Sequence, residues 1–397
     1  MKKIVKVSKK MFVLISKILV SLIIVVVLLV IGVTGVFLPK SYKSMFSEDY
    51  HLKFDDARYR VVSYGILAPN SHNIQSWKIT LDENDENVMS LFLNEERTIP
   101  VVDSNYNQLI MSCGTFISFM EAGAEKLGYQ LDITYFPNGE LPNNPSVEEI
   151  KNTKIADIKL VKDTNIVDPT FDVIGGATKR LAYDNLEIPA EKLNALLNQN
   201  TFDTIEFNIL SEVNEVATLK EMMIQGVDIE SKNEDAMMET KDIFRYTTYD
   251  KNKNPYGLSL HSDNPSVLKR TITEFLATIM KQSWEADGDF WYQRDSKNIE
   301  ETNYFGMIMT DTNTRMDQIN VGLVYGNICL AAINNGLDIQ PAIQVLQDYE
   351  AMNALNTQVH GTFAQDGQVI QMIFRLGETS INIPVGFRFD VTDIIEQ

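Results

Sequence analysis

Cysteine and histidine are scarce in this 397-residue chain, with two of the first and four of the second. Cys113 and Cys329 each sit alone inside an apolar stretch, without C-x-x-C spacing. That argues against a disulfide framework or a Cys-based zinc site and reads both as core residues. His51, His72, His261 and His360 are scattered without metal-ligand spacing. No nucleophile elbow, phosphate-binding glycine loop or H-E-x-x-H pattern occurs. The chain therefore offers no side-chain nucleophile or metal as an obvious chemical centre.

Acid is absent from residues 1–40, which hold seven lysines; removing their +7 from the net −19 leaves −26 for residues 41–397. A domain so acidic avoids nucleic acid and anionic surfaces, and solubility alone accounts for the charge. Residues 18–38, ILVSLIIVVVLLVIGVTGVFL, are 21 residues without a charge. At about 1.5 Å per residue this run matches a hydrocarbon core of roughly 30 Å, so it reads as one membrane span. The basic segment 1–17 holds the N-terminus in the cytoplasm by the positive-inside bias and sets the domain on the outer face. A cleaved signal peptide is the competing reading. Against it stand the length of the apolar run and the lack of a small-x-small site in GVTGVFLPK.

Residues 39–54 read as a polar tether, and a helix from about 55 to 67 ends at Pro69. Residues 77–81 and 88–93 read as a hairpin around the acidic loop DENDEN. Between 106 and 127 apolar positions recur at three and four, as in a helix buried on one face, and Gly128 stops it; 129–136 alternates as a strand. The second half repeats this grammar with a strand at 304–310, a helix at about 317–335 and Gly336 as its stop. A shift of 208 residues places Gly114 on Gly322, Ala124 on Ala332 and Gly128 on Gly336. A duplication gives that spacing, but so does the general preference of helix ends for glycine. Residues 225–300 form a polar insertion with a helix opening at Asn264-Pro265, either a pocket wall or a surface elaboration.

The densest polar cluster is ILAPNSHNIQSWKI at 66–79, where Asn70, Ser71, His72, Asn73 and Gln75 lie between a helix end and a strand. Capping and turn closure explain some of these, but five of six consecutive positions exceed what one turn needs. Uncharged donors and acceptors on a rigid junction suit a planar heterocycle with a polar edge.

APNSHNIQSW is similar to the A-P-S-x-x-N-x-Q-P-W motif of the FMN-dependent nitroreductase family, and nearer to the A-P-S-G-H-N-T-Q-P-W form of its Acg-type tandem members. DSNYNQLIMSCGTF and GATKRLAYDNLEIP resemble two further segments of that group, and the likeness runs from about residue 55 to the C-terminus. The resemblance implies an α+β nitroreductase-like fold in which two fused halves, 55–165 and 166–397, form a pseudo-dimer of mixed sheets flanked by helices. It also implies one FMN between the halves. Thr178, Lys179 and Arg180 would meet the phosphate, and Arg388, in the closing segment RLGETSINIPVGFRFDVTDII, would be a second phosphate partner. Asn70, Ser71, Asn73 and Gln75 would face the flavin, with Pro341 and Gln344 of LDIQPAIQV beneath it.

Two departures qualify this pattern: Gly176 stands where the family's phosphate motif begins with arginine, and Ser76 stands for the proline before Trp77. Losing one phosphate cation weakens binding by roughly 1–3 kcal/mol where nothing replaces it. The implied activity is ping-pong transfer of a hydride from a reduced donor, through the flavin, to a nitroaromatic, quinone or similar acceptor. NAD(P)H is the usual donor, and a membrane donor fits better if the domain lies outside. The rival expectation is a catalytically degenerate fold that binds or stores flavin or another ligand at the membrane. A sensor or structural ectodomain unrelated to flavin is a third expectation, and the motif spacing speaks against it.

Overall fold

The computed structural model describes residues 2–396 except 164, 166–168, 177, 185, 264, 265 and 281, with side chains from residue 9 onward. Ala177 of the GATKRLAYDN segment and the expected helix start at Asn264-Pro265 therefore lie outside the described residues.

In chain order the first half comprises α1 (Lys2–Thr34), α2 (Ala57–Gly65), β1 (Trp77–Leu81), β2 (Val88–Leu93), α3 (Asn107–Lys126), β3 (Tyr129–Tyr135), α4 (Val147–Asn152) and β4 (Lys154–Lys162). Then come α5 (Ala190–Leu197), β5 (Ile205–Leu210), α6 (Val213–Ser231), α7 (Glu234–Asp242), α8 (Thr248–Lys253), α9 (Val267–Met280) and α10 (Trp284–Glu300). The chain closes with β6 (Tyr304–Thr310), α11 (Arg315–Asn334), β7 (Asp338–Pro341), α12 (Asn353–Phe363), β8 (Val369–Gly377), α13 (Val391–Ile394) and β9 (Ile395–Glu396).

The two sheets have one strand order. The first runs β3-β4-β2-β1-β9 and the second β7-β8-β6-β5, so β1, β2, β3 and β4 correspond to β5, β6, β7 and β8. All ladders are antiparallel except β1 with β9, so the first sheet is mixed and the second antiparallel among the described residues. No pattern in the chain marks β9, a two-residue strand from the C-terminus that pairs Ile395 with Ile79 in the other half's sheet.

Between the sheets α3 packs on α11. A Cβ on Gly114 would lie 2.3 Å from the Ile319 carbonyl oxygen and 2.8 Å from the Gly322 Cα. A Cβ on Gly322 would lie 2.1 Å from the Met111 carbonyl oxygen. Met111 and Ile319 are themselves 208 residues apart, so the contact is reciprocal, as a two-fold relation requires. The same shift carries Ser118 onto Gly326, and these two also meet, with the Ser118 Oγ 2.6 Å from where a Cβ on Gly326 would be. Both helices start on carboxylates, Thr314 and Asp317 forming a capping box for α11 and buried Asp103 accepting from the Gln108 and Leu109 amides of α3. Both stop at a glycine of positive φ, +77° at Gly128 and +68° at Gly336.

The insertion is more than an appendage. Along β6, Phe305, Met307 and Met309 pack with Met222 and Met223 of α6 and Trp291 of α10, while Ile308 on the opposite face joins the core shared by both halves. Burial of both faces explains the nearly unbroken apolar run of β6, whereas edge strand β3 alternates; β8, equally buried, carries Gln371 and Arg375 among its apolar residues.

Two boundaries differ from the sequence reading. The apolar helix begins at Lys2 and ends at Thr34, because Gly35 turns at φ +62°; residues 35–38 follow the helix rather than completing it. Its run Lys9–Thr34 is long and apolar enough to cross a membrane, by length and composition. Residues 39–54, expected as a polar tether, carry two short 3₁₀ turns whose Tyr42, Met45 and Tyr50 are buried. Those side chains sit beside the C-terminal segment, Tyr50 Oη accepting the Val391 amide.

Gly322→Ala should lower the free energy of unfolding by about 1–3 kcal/mol, because the obstructing atom is backbone. Gly361→Ala in α12, where the added Cβ meets nothing within 4 Å, should be neutral or stabilising in the same denaturant titration.

Candidate functional site

After α2 the chain folds into a turn that is costly to hold. His72, Asn73 and Gln75 have φ of +49°, +53° and +53°, a region asparagine tolerates but histidine and glutamine rarely adopt. Side chains from three parts of the chain fix it. Asn70 Oδ1 accepts the Gln75 amide at 2.8 Å, and the Ser71 amide donates to Ser112 Oγ of α3 at 3.0 Å. Asn73 Nδ2 donates to the carbonyls of Gly257 and Phe387, and Gln75 bridges the Pro255 carbonyl and the Phe389 amide.

Beside this turn, at the boundary of the two halves, lie two contiguous cavities of about 80 and 370 Å³. They share Pro69, Asn70, Arg180, Tyr325 and Pro341 as walls. Asn70, Ser71, Arg180, Pro341 and Gln344 line the smaller. Asn70, Asn73, Thr178, Lys179, Arg180, Pro341 and Arg388 line the larger, as does Gly176. Nine of the ten residues singled out from the sequence thus share one cleft. Gln75 does not: it is wholly buried beneath the turn and serves it as a brace.

Four of the polar candidates from the chain's second half differ in what remains free. Lys179 Nζ is bound to Asp338 at 2.9 Å. Arg388 has spent its guanidinium: Nε donates to the Ile66 carbonyl, Nη1 to Asn73 Oδ1 and its neighbour's carbonyl, and Nη2 to the carbonyls of Leu67 and Ala68. It is a strut that ties the C-terminal segment to the strained turn, so a phosphate would reach it only in place of one of these bonds. Arg180 is anchored only through its backbone, whose amide donates to Ser262. Among the described residues its guanidinium has no hydrogen-bond or ion-pair partner, and it lies 5.8 Å over the Trp291 ring. Burial and nearby Arg294 depress its pKa, so an incoming anion would relieve an unfavourable position. Thr178 lies in the same wall.

Residues that sequence reasoning passed over complete the smaller cavity. Gln108, Ser112 and Thr115 form a polar stripe at i, i+4 and i+7 on an otherwise apolar α3, a signal visible in the sequence. Glu230 and Trp291 come from α6 and α10, and no spacing announces them. Trp291 Nε1 donates to Glu230 Oε2 at 3.0 Å and Gln347 Nε2 to Oε1 at 2.7 Å, while Gln347 Oε1 has no partner. Burial pushes the Glu230 carboxyl up. Cys329 also borders the cleft, but burial raises its thiol to about 12, so it is not a nucleophile.

His72 has a defined tautomer. Gln108 Nε2 donates to the Val102 carbonyl, so its Oε1 faces Ser71 and accepts that hydroxyl proton at 2.7 Å. Ser71 Oγ must then accept from His72 Nδ1 at 3.1 Å, which leaves Nε2 unprotonated in the neutral ring. Burial and then Arg180 hold the His72 pKa down at about 4.

Fold and site together define a two-sheet α+β protein with a cleft at the boundary of two similar halves. No family model matches the chain. An uncharacterized protein of Mycobacterium tuberculosis is 34% identical over 79 residues, 20% of this chain and 22% of that one. A probable NAD(P)H nitroreductase, PigM of a Serratia species, is 28% identical over 79 residues, with the same shares covered. The match therefore spans about a fifth of the curated relatives. Among solved structures, the FMN-dependent nitroreductase NfnB of Mycobacterium smegmatis, in complex with NADPH, aligns with TM-score 0.32 and 13% identity over 55% of this chain and 91% of that one.

Because the His72 ring is held neutral in the fold and titrates near 6.5 when unfolded, its stabilising contribution is complete above pH 6.5 and is lost as pH falls toward 4. Discounted for partial solvent access, the loss from pH 7 to 5 should be about 1 kcal/mol. Unfolding curves should show that extra acid sensitivity in the wild type and not in His72→Gln.

Proposed function

We propose that the cleft binds one FMN and that the protein is a membrane-anchored, flavin-dependent oxidoreductase of nitroreductase type. The observation that carries this reading is Arg180, whose guanidinium has no hydrogen-bond or ion-pair partner among the described residues, in a cleft whose other charged groups are engaged: Lys179 with Asp338, Arg388 with backbone carbonyls, and Glu230 with Trp291 and Gln347. A molecule with one anionic end and a flat, polar-edged ring fits that distribution, and a metal ion does not. The motif resemblance, the segment shared with a probable nitroreductase, and the unpartnered Oε1 of Gln347, a residue that lines the smaller cavity, support it further.

In this reading Arg180 binds the phosphate with Thr178, while Lys179 and its partner Asp338 close that end. Asn70 and Ser71 orient the ring edge, and Pro341 and Gln344 pack beneath its face. The strained turn holds these groups in position before any ligand arrives, which reduces the ordering cost of binding. Bound FMN supplies the two-electron couple between a reduced donor, NAD(P)H or a membrane donor, and a nitroaromatic, quinone or similar acceptor. If α1 crosses the membrane with its basic end inside, the domain is extracytoplasmic and the donor is a membrane one rather than soluble nicotinamide. The neutral ring of His72 leaves Nε2 as a proton acceptor beside the cleft without adding a second cation near Arg180.

The second reading, a flavin- or ligand-binding protein without turnover, is favoured by Gly176, which contributes no cation, and by the prior commitments of Lys179 and Arg388. The full chain purified in detergent and titrated with FMN separates the possibilities. A bound yellow flavin that NADH, NADPH or a quinol analogue bleaches under anaerobic conditions supports the oxidoreductase; binding without bleaching by any of them leaves the storage reading. Absence of binding refutes both. Arg180→Ala should weaken FMN binding at least tenfold, about 1.4 kcal/mol or more. If Arg180→Ala binds as tightly as the wild type, the phosphate assignment fails.

A further inference from the structure

Helix α9 is amphipathic in the wrong sense for a soluble protein. Its inward side carries Arg270, Thr271 and Glu274, all buried, with Glu274 paired to buried Lys251 at 2.6 Å. Its outward side carries Leu268, Ile272, Leu276, Ile279 and Met280, which recur at helical spacing and are 71%, 44%, 41%, 52% and 64% exposed. With Arg270 and Glu274 turned inward and its leucines and isoleucines outward, the helix has an outer face matched to an apolar medium rather than to water.

We propose that this outward face of α9 is a lipid-contacting surface, seated in the bilayer beside α1. The occupant is identified by continuity: α1 packs against α9, and the exposed apolar surface of α1 continues onto it. The exit of α1 is fastened to the same region. Asn252 of α8 donates to the Pro39 carbonyl, Ser41 donates to Asn252, and the Tyr249 ring lies where a Cβ on Gly35 would be. Phe37, Leu38 and Tyr249 are exposed at this junction, as aromatic and apolar groups are at a membrane boundary. Charge agrees locally. Although residues 41–397 carry −26 in total, Lys40, Lys253 and Lys269 are exposed around this patch, where cations can reach lipid headgroups. Helices α9 and α10 also flank a chamber of about 140 Å³ whose lining mixes Phe244, Ala277, Phe290 and Trp291 with Lys241 and Asp287. Trp291 lines both this chamber and the smaller cavity of the cleft.

The proposal rests on α1 being a membrane span, and the test keeps the two apart. Single cysteines replace Leu276, Ile272, Ile24 and Val213 in the full chain; Cys113 and Cys329 are buried and stay. Each variant is labelled with bimane and placed in lipid nanodiscs of mixed neutral and anionic phospholipid. Quenching by brominated acyl chains is then compared with quenching by aqueous iodide. The bromolipids should quench labels at 276, 272 and 24 about threefold more than the label at 213, with the order reversed for iodide. Labels at 276 and 272 that behave like 213, while 24 is quenched by bromolipid, overturn the α9 surface and leave the span intact. A label at 24 that bromolipid does not quench removes the span and this proposal with it. Shielding of 276 and 272 from both quenchers means a protein covers the face, which also overturns it.

Discussion

The crossing of α3 over α11 at Gly114 and Gly322 is the constraint on which the rest of this molecule depends. With hydrogen in place of Cβ at both positions, each backbone approaches the other's carbonyls more closely than any side chain permits. That spacing sets the two sheets on either side of one core and fixes the width of the cleft. The cleft's inner wall is built on the same pair of helices, Gln108, Ser112 and Thr115 from one and Tyr325 from the other, within about three turns of the glycines. Packing and the site are therefore one arrangement: a change that spreads the helices also moves the wall.

Buried arginines divide the labour around that core. Arg315 reaches the carbonyls of Leu141 and Pro142, Arg375 those of Leu181 and Asn298, and Arg388 those of Ile66, Leu67 and Ala68. Each planar guanidinium satisfies several loop carbonyls that would otherwise be buried without donors. These three are fasteners, and their charges are already solvated by the protein. Arg180 is by contrast only part-buried, and its guanidinium has no hydrogen-bond or ion-pair partner among the described residues. That availability is the ground on which an anion site is proposed there.

Much of the fold was legible because it arises from local patterns. The three-and-four spacing of 106–127, the glycine stops at 128 and 336, and the hairpin around DENDEN are properties of adjacent residues, and each appears in the structure within a residue or two. The 208-residue shift was visible too, but its meaning was not. Only the reciprocal contact of Gly114 with Gly322, and of Ser118 with Gly326, distinguishes a two-fold relation from two unrelated helix ends. The short strand β9 could not be read, since two residues carry no periodicity and its partner lies more than 300 residues away. Residues 39–54 read as a tether because Tyr42 and Tyr50 are spaced among polar residues, and their burial comes from distant partners, His261 and Phe387 for Tyr42 and Val391 for Tyr50.

By itself the sequence determined the apolar length of the first helix, the acidity of residues 41–397, and a dense polar turn at 70–75 flanked by a helix and a strand. These depend on composition and neighbouring residues, so they survive without knowledge of the fold. Tertiary structure decided which of the polar and cationic residues are available. Gln75, Arg388 and Arg180 look alike as candidates in one dimension, but two are consumed by carbonyls and amides brought from distant parts of the chain. The orientation of α9 was decided in the same way: its pattern is that of any amphipathic helix, and only packing shows that the polar side faces in. Hydrogen-bond commitment and facing are relations between distant segments, and no local pattern contains them.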